Sequence, residues 1–150
     1  MATKAHKWAA IAALFFAAAA AGQAKTHAEA GIGFSGRFRT TAHAGATLEF
    51  ERVQFTGFGQ YENRHNLTAA LQGGLRLYHH QRTGVNTWLM FGPSYTWHSK
   101  LVKDSGEGVK NGLLPMMGLR FDYGRVTLDL NYNIETVGLR FSFQMFNNQE

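Results

Sequence analysis

Residues 126–145 read VTLDLNYNIETVGLRFSFQM, and the fold follows from this stretch. From 126 to 132, and again from 137 to 145, apolar side chains occupy every second position, with polar residues or glycine between them. Successive side chains of a β-strand point to opposite faces, so a period of two indicates strands with one apolar and one polar face. The stretch therefore predicts two neighbouring strands of this kind.

The same alternation occurs in six earlier segments of the chain. Bounded by their first and last apolar residues, these segments are 30–38, 44–50, 53–61, 67–77, 89–97 and 113–123. No segment after residue 27 shows the period of an amphipathic helix. Eight antiparallel strands can close into a barrel, which leaves no strand with an unpaired edge. The sequence therefore predicts an all-β domain over residues 25–150.

The distribution of large side chains decides which face of this barrel is outside. An eight-stranded barrel has an interior only just wide enough for side chains to fill. The apolar face carries more large side chains than this interior holds, whereas the other face is rich in Gly, Ser, Thr and Ala. Lysine, which is costly against lipid, occurs after residue 24 only at four positions outside the predicted strands, Lys25, Lys100, Lys103 and Lys110. We therefore expect an antiparallel, eight-stranded, up-and-down transmembrane β-barrel.

Charged residues on the polar face must then lie inside the barrel. A buried charge is tolerated only when it is paired and hydrogen-bonded. We predict a charge network in the lumen, where carboxylates offset guanidinium groups. Its members are Glu29, Arg37, Glu49, Glu62, Arg76, Arg120, Asp122, Asp129 and Arg140.

The first 24 residues have the pattern of a secretory signal peptide. A basic start with Lys4 and Lys7 is followed by a short, alanine-rich apolar run and by small residues up to Ala24. A membrane-spanning helix needs about 20 predominantly apolar residues, and this run is shorter. We predict cleavage after Ala24, with Ala30 as a second plausible site, and export through the inner membrane to the outer membrane.

The composition excludes several classes of function. Without Lys4 and Lys7, 13 basic residues stand against 10 acidic ones, an excess too small to indicate nucleic-acid binding. The chain has no cysteine, which excludes a disulfide framework and a thiolate metal site.

The links between the predicted strands give the orientation. Short links lie near 51–52, at 81–86 and at 124–125, and the longest, 100–110, joins strands five and six. Barrels of the outer membrane have short periplasmic turns and longer outer loops, so residues 100–110 are predicted to be outside and both termini periplasmic. Tyr61, Trp97 and Tyr132 would then form a lipid-facing aromatic belt at the outer ends of strands three, five and seven.

The last strand carries the motif Thr136-x-Gly138-x-x-Phe141-x-Phe143. It resembles the β-signal of outer-membrane barrels, and the resemblance implies that the barrel-assembly machinery reads this strand. Many bacterial barrels end on a phenylalanine, whereas this chain continues past Phe146. In architecture the domain is similar to the small barrels of the OmpA-transmembrane and OmpX type, which implies outer-membrane lipid and lipopolysaccharide as its surroundings.

A second resemblance covers residues 113–145. Leu114-Pro115, the run 123–126, Tyr132 and the final aromatic strand are similar to the C-terminal part of lipid A palmitoyltransferases. In that family a proline interrupts a strand near a lateral opening for the acyl chain. The resemblance gives Pro115 this part, since proline removes a donor from the ladder. The family's catalytic residues lie on early outer loops, which are only a few residues long here, so no catalytic residue is carried over.

Polar residues outside the predicted lumen do not form a catalytic or metal site. His98-Ser99 and His79-His80 are neighbours along the chain, and adjacent strand residues point to opposite faces. Asp104 belongs to an Asp-Ser-Gly turn with too few oxygen ligands for calcium. We expect no cofactor, and expect the outer-loop residues Lys100, Lys103 and Lys110 to be able to contact lipopolysaccharide phosphates.

These patterns lead to one main hypothesis and two alternatives. The main one is a non-enzymatic outer-membrane barrel with a structural or surface-interaction role and no wide pore. The first alternative is a lipid A-modifying acyltransferase or deacylase of the outer membrane. The second is a soluble periplasmic or secreted barrel that binds a ligand inside.

Overall fold

A computed structural model describes residues 24–36, 39–63, 66–98, 112–133 and 137–147 of the chain. They form eight β-strands, as the period of two requires. The strands are β1 (Lys25–Ser35), β2 (Arg39–Glu49), β3 (Val53–Glu62), β4 (Asn66–His80), β5 (Val85–Trp97), β6 (Gly112–Tyr123), β7 (Val126–Asn133) and β8 (Val137–Asn147). Within the described residues there is no helix of the length and apolarity needed to cross a membrane.

The strands close into one barrel. Each pairs antiparallel with its neighbours along the chain, and β1 pairs antiparallel with β8. In that closing pair Ile32 lies opposite Phe141, and Phe34 lies opposite Leu139. Closure pairs every strand on both sides and removes the exposed edges at which sheets aggregate. The predicted eight-stranded, antiparallel, up-and-down barrel is confirmed.

The two ends of the barrel differ in their links. At one end, which we call the turn end, the short links 50–52, 81–84 and 124–125 lie beside the start of β1 and the end of β8. Gly84 and Gly124 have φ values of 72° and 56°, the left-handed conformation that tight hairpin turns use. At the opposite end, the loop end, the longest interval between strands separates Trp97 from Gly112, as predicted.

Two details of the predicted strand limits are wrong. β5 begins at Val85, before the predicted end of the link at Asn86, because the turn is complete at Gly84, whose N–H donates to the His80 carbonyl at 2.8 Å. Lys25, expected outside the strands, is the first residue of β1 and lies opposite Glu49. It has the inward phase of His27 and Glu29, and its exposed position at the strand end lets the ammonium reach water at the mouth of the lumen.

The polarity of the barrel is the reverse of that of a soluble protein. Among the described residues, 21 polar or charged residues are buried against five hydrophobic ones, and 24 large hydrophobic residues are exposed. Alternation along each strand produces this division, since every second side chain enters the lumen. The prediction that the apolar face is outside is confirmed.

Four large apolar side chains break the pattern and point inward. They are Phe58, Trp88, Met90 and Met116, with exposed fractions of 7 % or less. Each lies at an inward-facing position of β3, β5 or β6. Sequence analysis assigned none of these four residues to a face of the barrel. They fill space that the short polar residues leave open in the barrel interior.

Two lumen-facing glycines allow neighbouring strands to approach closely. A Cβ added at Gly31 would overlap the carbonyl oxygen of Phe141 on β8, and one at Gly92 would overlap the carbonyl oxygen of Leu71 on β4. Backbone atoms cannot move aside as a flexible side chain can, so these positions require glycine. Glycines at such bends allow a twisted sheet to curl into a narrow barrel.

Candidate functional site in the barrel lumen

The centre of the lumen holds an ion cluster around Arg120 on β6. The Arg120 side chain has no exposed surface, and Glu29 on β1 accepts hydrogen bonds from its Nη1 at 3.2 Å and its Nη2 at 2.5 Å. Arg120 Nε donates to Asp122 Oδ1 at 2.9 Å, and Thr127 Oγ1 donates to the same oxygen at 3.0 Å. Bidentate pairing of this kind is among the strongest polar contacts in proteins.

Strand register brings two further charges into this cluster. Arg120 lies directly opposite Asp129 on β7, and Asp129 lies directly opposite Arg140 on β8. The row therefore alternates positive, negative, positive across three neighbouring strands. Arg140 Nη2 lies 3.4 Å from Asp129 Oδ2, and Arg120 Nη1 lies 4.0 Å from Asp129 Oδ1. We call Glu29, Arg120, Asp122, Asp129 and Arg140 the Arg120 cluster.

Arg140 has a second set of partners toward the loop end. Its guanidinium carbon lies 3.5 Å from the centroid of the Phe58 ring, a cation–π contact. The Asn131 amide lies 3.1 and 3.2 Å from Arg140 Nη2 and Nε, and its oxygen accepts both hydrogen bonds when the amide is turned toward them. These contacts help to stabilise the buried guanidinium of Arg140, for which Asp129 is the carboxylate within ion-pair distance among the described residues.

Two other predicted members of the network face the lumen but do not join the cluster. Arg76 stands over the ring of Trp88, 5.7 Å from its centroid. Glu49, at the turn end, forms no ion pair among the described residues and lies opposite Lys25. Arg37 falls outside the described residues.

Glu62 anchors a separate cluster at the loop end. Its Oε1 accepts a hydrogen bond from Ser35 at 2.8 Å and lies 3.4 Å from Arg39 Nη1, while Asn66 donates to Oε2 at 3.0 Å. Sequence analysis placed Glu62 in the lumen but missed Arg39. The alternation along β2 could have placed Arg39 in the lumen, because Arg39 lies on the same face of the strand as the buried Thr41 and His43.

Buried aromatic and amide side chains seal the middle of the barrel. Trp88, Gln54 and Gln72 are at most 1 % exposed. Gln54 Nε2 donates to Met90 Sδ at 3.0 Å, so even the sulfur is used as an acceptor. The described residues line one cavity of about 190 Å³ at the turn end and another of about 20 Å³ at the loop end. The smaller one has room for about one water molecule, which needs roughly 10–15 Å³ of such space.

A buried histidine–serine pair was not predicted. His43 Nε2 and Ser142 Oγ are 2.7 Å apart, and both residues are at most 5 % exposed. A nucleophile and a base at this distance could react with a substrate that reached them. Neither cavity is lined by these residues, so we interpret the pair as a packing contact of the polar core. The residues are 99 positions apart, and strand patterns alone could not pair them.

The predicted surface residues of the barrel lie on the outer face. Phe141 and Phe143 of the β8 motif are 44 % and 53 % exposed, whereas Gly138 of the same motif lies opposite Ser35 on β1 and lines the loop-end cavity. The aromatic residues expected near the loop end are also exposed at the ends of their strands. They are Tyr61, Trp97 and Tyr132.

Sequence analysis missed a second aromatic pair at the turn end. Tyr78 and Tyr123 are 59 % and 61 % exposed and lie near the turn-end limits of β4 and β6. The β4–β5 pairing shifts register between Arg76 and Tyr78, and this irregularity hid Tyr78 from a strict period of two. Exposed tyrosines thus occur near both ends of the barrel.

The histidines predicted at the turn end contact neighbouring polar side chains. His79 Nδ1 lies 2.8 Å from Asn86 Oδ1, and His80 Nδ1 lies 2.8 Å from Thr83 Oγ1 at the turn end. His98 follows β5, and Ser99 falls outside the described residues. Among the residues that the structure covers, no His, Asp and Glu side chains form a group of three that could hold a metal ion. The outer-loop positions Lys100, Lys103, Asp104 and Lys110, Thr136 of the β8 motif and residues 1–23 also lie outside the described ranges.

The comparisons with known proteins agree with this geometry at the level of the fold. No protein-family model and no curated protein sequence matches the chain. Among solved structures, a chain described as "De novo design of transmembrane beta-barrels" is similar with a TM-score of 0.54 and 8 % identity, over 82 % of this chain and 96 % of that chain. At this identity the similarity shows the fold alone, an eight-stranded closed barrel that resembles transmembrane barrels. The resemblances to the OmpA, OmpX and lipid A palmitoyltransferase families stay predictions.

Proposed function

We propose that this chain is a small β-barrel of a Gram-negative outer membrane, with a structural or surface-interaction role and a lumen closed to bulk solutes. The main support for this proposal is that the polarity of the barrel is the reverse of that of a soluble protein: the exterior is apolar, and the buried interior is polar and charged. Water would be a poor solvent for this exterior, because soluble monomers rarely expose apolar patches beyond a few hundred square ångströms. A hydrocarbon environment satisfies the apolar exterior, and closure satisfies every backbone ladder.

The strand lengths fit a membrane span. A tilted transmembrane strand needs about 9–11 residues. Seven of the eight strands have 10–15 residues, and β7 has eight. Exposed tyrosines near both ends of the barrel match the preference of amphipathic rings for the two headgroup levels.

The packing of the lumen supports a role without wide conduction. The Arg120 cluster, Trp88 and the buried glutamines occupy the middle of the barrel and leave separate cavities toward its two ends. Function would then reside on the outer surface. We place it in the outer loop with Lys100, Lys103 and Lys110, whose ammonium groups suit lipopolysaccharide phosphates. Replacing all three lysines by glutamine should weaken lipopolysaccharide binding, and unchanged binding would remove this part of the proposal.

Delivery to the outer membrane would use β8. Gly138, Phe141 and Phe143 occupy the strand that closes the barrel against β1, and both aromatic rings are available on the outer face. An assembly machinery that reads the last strand would act where closure happens.

We further propose that the signal peptide is cleaved after Ala24. β1 begins at Lys25, so this cleavage leaves the strand complete. Cleavage after Ala30 would remove Glu29 and leave Arg120 buried without its bidentate partner. Intact-mass measurement of the protein from outer membranes tests this, and a mature chain beginning at Gly31 would contradict it.

The first experiment is membrane extraction followed by gel mobility. We expect the protein in the detergent-soluble membrane fraction and a faster or slower band when it is not heated, since a folded barrel resists dodecyl sulfate. Reconstitution into planar bilayers should give no large, stable channels. A protein that stays in solution without detergent and shows no mobility change would refute the membrane proposal.

A lipid A-modifying activity is the second candidate, and one observation favours it. The two prolines of the chain, Pro93 and Pro115, lie directly opposite each other on β5 and β6, exposed on the outer face. Neither proline can donate a ladder hydrogen bond. The β5–β6 register continues through this pair, beside which Ser94 donates to the Leu114 carbonyl at 3.1 Å. The β4–β5 register, in contrast, has no partner on β4 for Gly92 and Pro93, so the interrupted pairing beside Pro93 is that of β4 with β5. Mass spectrometry of lipid A from cells with and without the gene tests this candidate, and identical acylation would exclude it.

A further inference from the structure

A polar cavity of about 190 Å³ lies at the turn end of the lumen. It has room for several waters, or for a small polar group with its hydration. Among the residues that line it are Lys25, His27, Glu49, Asp122, Gly84 and Gly124. Gly84 and Gly124 have no side chain to cover the mouth, and a Cβ at either position would meet no atom within 4 Å.

Two buried side chains of this cavity have a polar atom without a partner. His27 is 5 % exposed and Asp122 is 6 % exposed. Among the described residues, neither His27 Nε2 nor Asp122 Oδ2 has a hydrogen-bond partner. The other oxygen of Asp122 is fixed by Arg120 and Thr127, at 2.9 and 3.0 Å, so the carboxylate is held in place with one oxygen unused.

A third acceptor of the cavity is also unpaired. Glu49 is half-buried, and within the described part of the chain it forms no ion pair or hydrogen bond, although Lys25 lies opposite it. The cavity thus has two carboxylates and an imidazole nitrogen that can each accept a hydrogen bond. An ammonium group has three donors and no acceptor. A metal ion fits less well, since the described residues contain no convergent group of three metal ligands.

We propose that this cavity is a binding site for a primary ammonium group, held by the carboxylates of Asp122 and Glu49 and by the imidazole of His27. The ammonium has two possible sources. One is the α-amino group of Lys25, which hydrolysis of the Ala24–Lys25 bond by a leader peptidase would create at the edge of the cavity; this source rests on the proposed cleavage. The other is a small free amine. The exposed side chain of Lys25 competes for the same carboxylates.

The test uses the chain that begins at Lys25, folded in detergent micelles, in two forms: with a free α-amine and with the α-amine acetylated. The probe is 1,3-diaminopropane, followed through the amide resonances of Gly84 and Gly124, with 1,3-propanediol as the uncharged control. We expect saturable shifts with the diamine and none with the diol. Tighter binding to the acetylated form would identify the chain's own terminus as the resident ammonium, whereas equal binding would identify a free amine.

Matched variants locate the site. Glu49→Gln should weaken diamine binding about threefold or more, because it removes a charge-assisted contact from a half-buried position. Asp122→Asn, which keeps an oxygen for Arg120, should weaken it further. Glu62→Gln makes the same change at the loop end and should have no effect. Lys25→Gln should strengthen binding by removing the competing cation.

Four results would overturn the proposal: no saturable shift in either form, an equal response to the diol, diamine binding that survives both Glu49→Gln and Asp122→Asn, or weaker binding in Lys25→Gln. The last would do so because removal of a competing cation cannot weaken the binding of another cation to the same carboxylates. These measurements are made in micelles on a chain whose mobility shift shows that it is folded. Their failure would therefore leave the membrane proposal intact.

Discussion

Replacing Arg120 by methionine should be among the most damaging single changes to this barrel. Arg120 has no exposed side-chain surface, and its partner Glu29 is 1 % exposed. Met fills much of the same volume but leaves three carboxylates, Glu29, Asp122 and Asp129, beside the single cation Arg140. Removing one partner of a buried ion pair typically costs about 3–5 kcal/mol, because the remaining charge is buried without compensation. We expect a loss of this size in the free energy of unfolding.

A double-mutant cycle with Glu29→Gln isolates the interaction. Glu29→Gln alone removes a charged hydrogen-bond partner and should cost roughly 1.5–3 kcal/mol, since Asp122 and Asp129 still offset Arg120. The double variant should cost less than the sum of the two, by about 0.5–3 kcal/mol, because Arg120→Met removes the contact that Glu29→Gln would break. The assay is urea unfolding in micelles, with the fraction of the unheated gel band as readout.

The control for this cycle is Arg39→Met at the loop end. Arg39 and Glu62 are 15 % and 12 % exposed, so water can reach the charge left behind and the loss should be smaller. Strict additivity in the cycle, or a cost of Arg120→Met within about 1 kcal/mol of zero, would refute the role given to the Arg120 cluster.

Two further predictions test the barrel geometry and its solvent. Gly92→Ala should abolish or strongly reduce the folded gel band, because the added Cβ overlaps the Leu71 carbonyl oxygen, whereas Gly59→Ala, which meets nothing within 4 Å, should change stability by no more than about 0.5 kcal/mol. In lipid vesicles, Leu130→Arg at the middle of β7 should cost about 2–4 kcal/mol and Val126→Arg at its end about 0–1 kcal/mol, measured by urea unfolding. Equal costs at the two positions would contradict a membrane span.

The sequence was sufficient for the architecture because alternation is a local property. Residues 126–132 and 137–145 show the period of two without interruption, and the structure has β7 and β8 there. The same rule failed where local geometry departs from it. The register shift between Arg76 and Tyr78 changes which side chains face outward, and no residue near it in the sequence predicts the shift.

The contacts inside the lumen could not be read from the sequence. Sequence analysis placed Glu29 and Arg120 on the inner face, but 91 positions separate them, and their contact depends on closure of the whole sheet. Arg76 stands over Trp88 because the register of the β4–β5 hairpin places the two residues directly opposite each other. Pairing across a barrel depends on strand tilt and stagger, which alternation does not encode.

The charged core has a consequence for how the barrel selects one register. A slip of β1 by one residue against β8 would move its inward set of side chains to the outer face. Glu29 would then face the apolar exterior, and Arg120 would lose its bidentate partner, so both changes would be costly. An apolar core would tolerate the slip better, because one aliphatic residue can replace another. Lipid contacts any apolar side chain of the exterior equally well, so these lipid contacts do not favour one strand register over another. The contacts inside the lumen must therefore distinguish the correct β1–β8 register from registers shifted by one residue. The alternating charges of β6, β7 and β8, completed by Glu29 from β1, make that distinction at the seam where the first and last strands meet.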